Sequence, residues 1–560
     1  MYTLDSTLTY DWGDYCGIPG GIPTDRTQYG TTMTTSNTLS EINARIAACP
    51  SGQYVQLAAG TYSLGTVLFG IKSGVTLRGA GAGQTIINPT ASPAIATYPH
   101  NSETYFRNED GIAISSGYTK GSTSITLSSA PSAYFVVGRL VQITQDDSPD
   151  VWDTGVGVYH RTGFPGSYGM SATRNLRFTS RITGITGNTI SFATPIPVGY
   201  SASLNPAAYP MRTSPMSLCG VENLTINCGG TIDRAVHFAN SDQCWVKDVE
   251  IYNFTGATGC IRFYNVHQCE INRCYAHDAA DYPIQADGYP YFLYYGCSCC
   301  SVVDNVAHRV GPTVVNGSSG NVLLNNYLLN IRRRRVTGEA QPWLTQGIIV
   351  NHGPQAAMNL VEGNIAQRFQ SDGYHGSASH TTLFRNQIHG VLPDLASPTN
   401  RRVVDLTRGS YYHNFVGNVI GDGSWEITQY EYDPGESGPY CAYILGFPGM
   451  DSTSMASFTS VPWDSWTKST SVPDADVAAT LLRHGNYDYH GSNTKWDESI
   501  ESHAIPDSLF YDSKPSYFGS LAWPAIGPDL GTMVNDIPAK ARWDRYVISA
   551  DLDDLFADEA

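Results

Sequence analysis

The sequence of 560 residues predicts an all-β protein, a solenoid in which a single chain winds a parallel β-helix from short strands. The first observation is a repeat of short apolar runs between residues 211 and 423, with a period of roughly 22 residues. The second is composition, since 55 glycines, 35 tyrosines and 31 prolines favour turns and strands over helical bundles. The third is that three short strands fill each period with no helical pattern between them.

Charge and hydrophobicity exclude several classes of function. With 41% apolar residues the chain can bury a large core, so it is not a disordered protein. Its 33 basic and 50 acidic residues give a net charge of −17, opposite in sign to that of a nucleic-acid-binding protein. No apolar run reaches the roughly 20 residues of a membrane span. We therefore expect neither nucleic acid nor a membrane as partner. We also expect the protein to be a monomer.

Residues 1–112 are predicted to form an N-terminal arm, a capping helix and the first coils. The helix begins after Thr38, which has capping-box spacing to Glu41, and its apolar residues recur at helical intervals as far as Ala48. The first five residues lack the basic and apolar regions of a signal peptide. We expect a secreted, extracellular protein whose leader is not part of this sequence.

Residues 113–210 are predicted to form an inserted β subdomain with a long loop. Strand-like runs at residues 125–127, 140–144 and 189–192 surround a polar stretch. The acidic residues of that stretch are Asp146, Asp147, Asp150 and Asp153. They could bind Ca²⁺, but the stretch lacks the glycine and the terminal glutamate of an EF-hand loop. We expect that no cofactor is required, with Ca²⁺ as the alternative.

Residues 211–423 are predicted to be the β-helix core that carries the functional groove. One recurring unit is a short strand that ends in Asn or Asp, seen at Val236–Asn240, Ile261–Asn265, Pro283–Asp287, Thr313–Asn316, Ile348–Asn351 and Arg402–Asp405. Because successive coils stack like residues on like, we expect Asn240, Asn265, Asp287, Asn316 and Asn351 to form an internal ladder. Its side chains would cap backbone groups of the turns.

Stacking also explains why ten of the twelve cysteines lie between Cys219 and Cys441. Cys244, Cys269 and Cys300 each precede the second strand of a coil, so they are predicted to stack. We expect reduced thiols that pack as small apolar side chains. A disulfide between adjacent coils is the alternative, since neighbouring strands are about 4.8 Å apart.

Residues 424–560 are predicted to form an irregular, aromatic-rich C-terminal region. The repeat fades here, and the sequence is rich in turns. We expect this region to pack along the solenoid and cover its exposed end, because an open sheet edge invites aggregation. Most of its aromatic residues are expected in the core, and some in one wall of a groove.

A family resemblance rests on two stretches that follow the capping helix. They are Val55-Gln56-Leu57-Ala58-Ala59-Gly60-Thr61-Tyr62 and Ser73-Gly74-Val75-Thr76-Leu77-Arg78-Gly79-Ala80-Gly81. With the repeats, residues 35–423 resemble the pectin-lyase-like superfamily. The resemblance implies a right-handed parallel β-helix and, most often, action on polysaccharides. It leaves the reaction open, since the superfamily holds lyases, hydrolases, epimerases and phage spikes.

The turns that lead into the first strand of each coil are polar, and stacking is predicted to align them along one groove. Such a groove suits a chain polymer, and the largest insertion, residues 332–346, borders it. As catalytic residues we expect Asp278, Asp281, Glu339, Asp372 and His375. As substrate-binding residues we expect Arg309, Arg333, Arg334, Trp343, His352, Arg368, Tyr374 and His380.

These features also have purely structural interpretations. Asp278 and Asp281 could serve only as turn caps, because turns favour Asp. The arginines at 332–335 could form a solvated loop face, or they could bind uronate carboxylates in bidentate fashion. His375 and His380 could be packed structural histidines.

Two enzymatic mechanisms and one non-catalytic role are compatible with the sequence. A glycoside hydrolase needs a protonated acid and a second carboxylate, which the four acids of the groove supply. A polysaccharide lyase needs a base and a cation beside a uronate, for which the arginines, Tyr374 and His375 qualify. A glycan-binding adhesin would use the groove without catalysis. Because a net charge of −17 repels polyuronates, we favour hydrolysis of a neutral polysaccharide.

Overall fold

The computed structural model describes residues 6–7, 9–64, 68–97, 106–147, 174–256, 259–280, 288–331, 344–350, 355–372, 377–393, 402–433, 440–447 and 473–558. Strands dominate this part of the chain. Its α-helices are Trp12–Tyr15, Leu39–Ala48, Ala475–Ala479 and Pro538–Ser549. Short 3₁₀ helices occur at Asn108–Asp110, Ala202–Leu204, Ser516–Phe518 and Leu552–Leu555.

A long sheet runs the length of the solenoid and is parallel except for its final hairpin. Most coils of the repeated region contribute two short strands to it. Within the described residues its strands are Thr27–Gln28, Gln53–Gln56, Gly60–Leu64, Val75–Arg78, Thr85–Pro89, Gly220–Asn227, Trp245–Tyr252, Glu270–Asn272, Tyr275–His277, Ser301–Val303, Val306–His308, Val322–Leu324, Tyr327–Leu329, Leu360–Glu362, Ile365–Ala366, Thr382–Phe384, Gln387–Ile388, Asn414–Val416, Val419–Ile420, Leu482–His484, Asn486–Asp488 and Asn493–Lys495.

A second parallel sheet faces the long sheet across the core. Its strands are Leu68–Ile71, Ile95–Thr97, Val236–Ala239, Ile261–Tyr264, Tyr291–Tyr294, Thr313–Asn316, Ile348–Val350, Phe369–Ser371, Arg402–Leu406, Gln429–Glu431 and Cys441–Leu445. A third ladder of parallel bridges connects successive coils at one corner and passes through Asp242, His267, Ser298, Ser319, Ala357 and Ser379. Three parallel ladders therefore surround one apolar core, as the repeat predicts.

The N-terminal helix caps the first coils in the way that its sequence predicts. Thr38 Oγ1 accepts a hydrogen bond from the Glu41 amide at 3.3 Å, and Glu41 Oε2 accepts one from the Thr38 amide at 2.7 Å. Ile42 and Ile46 are fully buried against the end of the core. The predicted capping box is confirmed, because each side chain satisfies an amide that the first helical turn leaves without a partner.

The asparagine ladder lies at a different corner from the predicted one. After its first member, each Asn side chain of the ladder accepts hydrogen bonds from the backbone amide and the side-chain amide of its neighbour in the preceding coil, at 2.8–3.0 Å. Asn305, the first, accepts from the Cys274 amide at 2.7 Å. Asn240 and Asn265 instead hold left-handed turns, with φ of 53° and 49°. The prediction was wrong because Asn is favoured both in such turns and in ladders. The ladder consists of Asn305, Asn326, Asn364, Asn386, Asn418 and Asn486.

The predicted strand Pro283–Asp287 is also corrected. Residues 281–287 lie outside the described part of the chain, and the second-sheet strand of that coil is Tyr291–Tyr294. Ile261 pairs with Tyr291, and Tyr295 has a left-handed backbone conformation (φ 39°), as Asn240 and Asn265 have in the preceding coils.

The inserted subdomain contains a closed barrel of six antiparallel strands, Ile112–Ser116, Ser124–Leu127, Leu140–Thr144, Arg177–Thr186, Thr189–Phe192 and Ala207–Pro210. The barrel stands on the solenoid through polar contacts. Gln142 Nε2 donates to Asn265 Oδ1 at 3.1 Å, and the Thr179 amide donates to Ser298 Oγ at 3.0 Å. After the barrel the chain returns to the long sheet at Gly220–Asn227. This strand pairs with Val75–Arg78, so the coils before and after the insertion are neighbours in the sheet.

The C-terminal segment, residues 505–558, covers the outer face of the long sheet. Its apolar residues, among them Phe518 and Trp543, pack against Tyr275 and other outward side chains of that sheet. The buried Arg542 guanidinium, on helix Pro538–Ser549, binds Asp304 Oδ2 at 2.8 Å. This buried ion pair fixes the helix on the solenoid.

The cysteine stack is confirmed, and the twelve cysteines of the chain are thiols in the structure, eleven of them buried. Cys244, Cys269 and Cys300 directly precede Trp245, Glu270 and Ser301, which are register partners in adjacent coils. Their side chains belong to the apolar core.

Candidate functional site

One corner of the solenoid aligns turn residues from successive coils. Asn253, Asp278, Arg309 and Asn330 each follow a long-sheet strand and have left-handed φ angles of 58°, 43°, 57° and 51°. The Asp278 amide donates to the His308 carbonyl of the next coil at 3.1 Å. Stacking therefore brings two of the predicted site residues together, with Arg309 Nη1 3.5 Å from Asp278 Oδ1.

His277 connects Asp278 to a second carboxyl group. Its Nδ1 lies 2.9 Å from Asp278 Oδ2, and its Nε2 lies 3.1 Å from Glu250 Oε1. The other Glu250 oxygen accepts a hydrogen bond from Thr225 Oγ1 at 2.6 Å. The imidazole ring stacks on the Tyr275 ring, with centroids 4.1 Å apart. Both ring nitrogens are thus oriented by fixed partners.

The charges of this corner follow from these contacts. Burial alone would lower the pKa of His277, but the hydrogen bonds to Asp278 and Glu250 outweigh it and raise that pKa. The hydrogen bond from His277 lowers the pKa of Asp278, although partial burial opposes the shift. The protonated imidazole and the ionised Asp278 carboxylate therefore stabilise each other. Burial raises the pKa of Tyr275, so its hydroxyl stays protonated.

The corner combines an accessible charged pair with an aromatic flank. The side chains of Asp278 and Arg309 are 51% and 46% exposed, whereas that of His277 is only 12% exposed. The Trp543 ring of the C-terminal helix lies 4.6 Å from the His308 ring. The half-buried Tyr252 ring stacks on His277 at 5.4 Å. Trp543 and Tyr275 are buried, so the partly exposed Tyr252 ring is the aromatic face that a ligand such as a sugar could contact beside the charged pair.

Neither a protein-family model nor a curated protein sequence matches the chain. Among solved structures, the tailspike gp61 of Pseudomonas phage phi297 is similar at 12% identity with a TM-score of 0.40, covering 76% of this chain and 66% of its own. The mannuronan C-5 epimerase A-module of Azotobacter vinelandii is similar at 12% identity with a TM-score of 0.31, over 74% and 92% of the two chains. A GH87 α-1,3-glucanase of Streptomyces thermodiastaticus is similar at 10% identity with a TM-score of 0.35, over 85% and 72%. These values are too low to transfer an activity.

The fold class follows from the three parallel ladders that surround a single core. The fold is a parallel β-helix. In this β-helix the candidate corner lies where each coil leaves the long sheet and turns toward the second sheet.

Several predicted site residues lie outside the described part of the β-helix. Two of the segments that contain them begin directly after Ala280 and Ile331, which stand at the candidate corner. The residues concerned are Asp281, Arg333, Arg334, Glu339, Trp343, His352, Tyr374 and His375.

Arg368 lies at the same corner in a later coil, between Ile365–Ala366 and Phe369–Ser371, whereas Asp372 and His380 lie elsewhere. The Arg368 side chain is 1% exposed and binds Asp405 Oδ2 at 2.6 Å, so it is a buried structural cation. Asp372 follows Phe369–Ser371 and therefore stands at the opposite end of that strand from Arg368. His380 is buried and stacks on Tyr412 at 5.1 Å, and burial lowers its pKa to about 3. The expectation that Arg368 and His380 bind substrate is therefore corrected.

The structure adds Glu250, Tyr252 and Trp543 to the corner. Glu250 alternates with the buried Ile251 along strand Trp245–Tyr252, so it points outward, and it pairs in register with Tyr275. The sequence signal that could have revealed Glu250 was its separation of 25 residues from Thr225, its partner in the preceding coil. Trp543 comes from the irregular C-terminal region, where no repeat indicates its position.

A second cluster has the spacing of a Ser-His-Asp triad but is closed to substrates. His267 Nδ1 lies 2.7 Å from Asp242 Oδ1, and His267 Nε2 lies 3.0 Å from Thr194 Oγ1. Arg181 Nε binds the other Asp242 oxygen at 3.0 Å. Thr194 and His267 are fully buried where the barrel meets the solenoid. The cluster joins these two parts of the protein.

Two of the four aspartates considered for Ca²⁺ have other partners, whereas Asp150 and Asp153 lie outside the described residues. Asp146 binds Arg174, and Asp147 Oδ1 accepts a hydrogen bond from the Asn175 amide at 2.8 Å. Across the described ranges, no three His, Cys, Asp or Glu side chains are grouped so that they could hold a metal ion. Among the helices that the structure describes, none is both long and apolar enough to cross a membrane.

Proposed function

We propose that the chain is a polysaccharide-degrading glycoside hydrolase whose active site includes Glu250, His277, Asp278 and Arg309. The observation that carries this proposal is the state of Asp278. Its side chain is half exposed, hydrogen-bonded to His277 and close to Arg309, and its pKa is lowered. An accessible, ionised carboxylate of fixed orientation is what cleavage of a glycosidic bond requires as base or nucleophile.

The protonated acid of this mechanism is assigned to Glu339, with Asp281 as the alternative. Glu250 does not suit that role. The imidazole of His277 occupies the space between the Glu250 and Asp278 carboxyl groups, so a sugar cannot lie between them. Glu250 instead holds the imidazole in the orientation that supports Asp278. The acid therefore has to approach from the solvent side of the corner.

The same contacts favour hydrolysis over β-elimination. A lyase needs a deprotonated base beside the α-proton of a uronate and a cation for its carboxylate. The raised pKa of His277 favours its charged form, and the raised pKa of Tyr275 keeps its hydroxyl protonated. Arg309 lies beside Asp278, which reduces its attraction for a second carboxylate.

A neutral polysaccharide is the proposed substrate. The exposed Asp278 carboxylate and the net charge of −17 both repel a polyuronate. Tyr252 offers an aromatic face beside the corner, and Trp343 is proposed to offer a second one. Secretion and action without a required cofactor are parts of the same proposal, and Ca²⁺ remains an alternative.

The test is a screen of the purified chain against neutral and uronate polysaccharides. It reads new reducing ends together with the ultraviolet absorbance of unsaturated uronate products. We expect reducing ends without absorbance, and at least a 10²-fold lower rate for Asp278→Asn. Asp512→Asn, which alters an exposed acid of the C-terminal region, is the matched control and should leave the rate unchanged.

Other outcomes decide against the proposal in distinct ways. Absorbance that rises with the reducing ends would establish β-elimination. Binding of a polysaccharide without any product, and equally by Asp278→Asn, would establish a glycan-binding protein in which Asp278 only caps a turn.

A further inference from the structure

Two interior thiols of adjacent coils are in contact where the chain resumes the solenoid after the barrel. The Sγ atoms of Cys219 and Cys244 are 3.1 Å apart. The residues that follow them, Gly220 and Trp245, are register partners on neighbouring parallel strands. Such strands are about 4.8 Å apart, within the roughly 4.4–6.8 Å between Cα atoms that a disulfide spans. Joining these two sulfurs therefore requires little movement of the backbone.

The next cysteine of the stack is engaged differently. Cys269 Sγ accepts a hydrogen bond from the Cys244 amide at 3.3 Å and also contacts the His267 carbonyl at 3.5 Å. After Cys300, the next position of the stack is occupied by Asn321 instead of a cysteine. The Cys300 amide donates a hydrogen bond to Asn321 Oδ1 at 2.9 Å. These contacts make Cys219 the preferred partner of Cys244.

We propose that Cys219 and Cys244 form a disulfide that joins the two coils when the chain folds in an oxidising compartment. The bond would close a loop of 25 residues at the junction between the barrel insertion and the repeated region. Both side chains are fully buried in the folded chain, so the bond forms before the core has closed and is afterwards shielded from reductants. This inference is independent of the proposed hydrolase activity.

The step is a two-electron oxidation by a disulfide, either a protein disulfide, as in the periplasm, or oxidised glutathione. With oxidised glutathione, the Cys244 thiolate attacks one sulfur of that disulfide and displaces a glutathione thiolate, which leaves a mixed disulfide on Cys244. The Cys219 thiolate then attacks Cys244 Sγ and displaces the second glutathione thiolate. The two protein thiols lose two protons and two electrons, and the oxidant is reduced to two glutathione thiols.

The test compares the full chain produced in the bacterial periplasm with the full chain produced in a reducing cytosol. Both samples are unfolded in iodoacetamide, digested with trypsin without reductant and analysed by mass spectrometry. Trypsin cleaves after Arg212, Arg234 and Lys247, which separates the two thiols into different peptides. Because Cys228 shares a peptide with Cys219, fragmentation of the linked peptides assigns the bond.

We expect a Cys219–Cys244 link and ten alkylated cysteines in the periplasmic sample, and twelve alkylated cysteines in the cytosolic one. Twelve alkylated cysteines in both samples, or a link from Cys244 to Cys269, would overturn the proposal. In Cys219→Ser the link should be lost and Cys244 alkylated, whereas Cys269→Ser should keep it. The midpoint of thermal unfolding should be higher for the oxidised than for the reduced wild-type chain, and equal for both samples of Cys219→Ser.

Discussion

His277 Nδ1 lies 2.9 Å from Asp278 Oδ2, a contact between sequence neighbours across a change of backbone direction. His277 ends a strand of the long sheet, and Asp278 takes a left-handed turn conformation with a φ of 43°. The turn lets the Asp278 carboxylate face solvent while the imidazole supports it from behind. Glu250 holds the other side of that imidazole. The Asp278 carboxylate is thus at the surface, and the largely buried His277 and Glu250 side chains hold it in position.

Replacement of His277 by alanine should lower the proposed hydrolase activity by about 10²-fold, mainly in kcat, because the Asp278 carboxylate loses its orientation. The pKa of Asp278 should rise toward its ordinary value, since the hydrogen bond that lowers it is gone. Rate measurements against pH check this, with the acid limb expected to move to higher pH. The exposed His503 offers a control, and His503→Asn should behave as wild type.

The stability that His277 and Asp278 provide should depend on pH. The lowered pKa of Asp278 contributes stability above its unfolded value of about 3.9, and this is lost as pH falls through the folded value. The raised pKa of His277 contributes stability below its unfolded value of about 6.5, and this is lost as pH rises through the folded value. Both contributions are complete between about pH 4 and 6.5.

Thermal unfolding of the wild-type chain and of His277→Asn between pH 3 and pH 9 checks this dependence. The difference in unfolding midpoint should be largest within the window and decline on both sides. A difference that stays constant over the whole range would show that the ionic contact contributes nothing.

The asparagine ladder should be a major source of stability. Asn364 Oδ1 accepts from the Asn326 amide at 2.9 Å and from Asn326 Nδ2 at 2.8 Å. Asn364→Ala leaves the buried Asn326 backbone amide without an acceptor and removes one of the two acceptors of Asn326 Nδ2, which keeps the Val302 carbonyl. An unsatisfied buried donor costs about 1–3 kcal/mol. The urea midpoint measures the loss. Asn188→Ala, at an exposed turn of the barrel, should change it little, and equal losses would contradict the ladder's importance.

The Arg542–Asp304 ion pair should hold the C-terminal helix in place. Arg542→Met leaves the buried Asp304 carboxylate without its cation and should cost about 3–5 kcal/mol. Limited proteolysis should then cleave within residues 538–558 much faster than in the wild-type chain.

A lysine on the same helix supplies the control. Lys540 pairs with Asp536 and Asp544 at the surface, and such pairs contribute about 0–1 kcal/mol. Lys540→Met should therefore leave the rate of proteolysis almost unchanged. If both variants are cleaved equally fast, the buried pair is not what anchors the helix.

The fold could be predicted because its signals are local and recur. The capping box of Thr38 and Glu41 is visible in four consecutive residues, and the inward apolar side chains of each coil repeat with the coil. The asparagine ladder was placed at the wrong corner, since Asn240 and Asn326 share a residue type but not a role. Asn240 adopts a left-handed turn, whereas Asn326 bonds to its neighbours through its side chain.

The site could be predicted only where one corner repeats in adjacent coils. Asp278 and Arg309 were brought together by that rule. Arg368 was misassigned because its environment depends on Asp405, which lies 37 residues further along the chain. Trp543 could not be foreseen, because its position depends on the docking of a helix that has no counterpart in the repeat.

The docking of that helix also determines when the corner is structurally complete. His308 meets Trp543 at 4.6 Å, and Arg542 reaches back to Asp304 across 238 residues of chain. During synthesis the early coils emerge from the ribosome long before this helix, so a growing chain carries an incomplete corner. The contacts of His308 and Asp304 with this helix form only after residue 543 has left the ribosome, which couples completion of the corner to the end of synthesis.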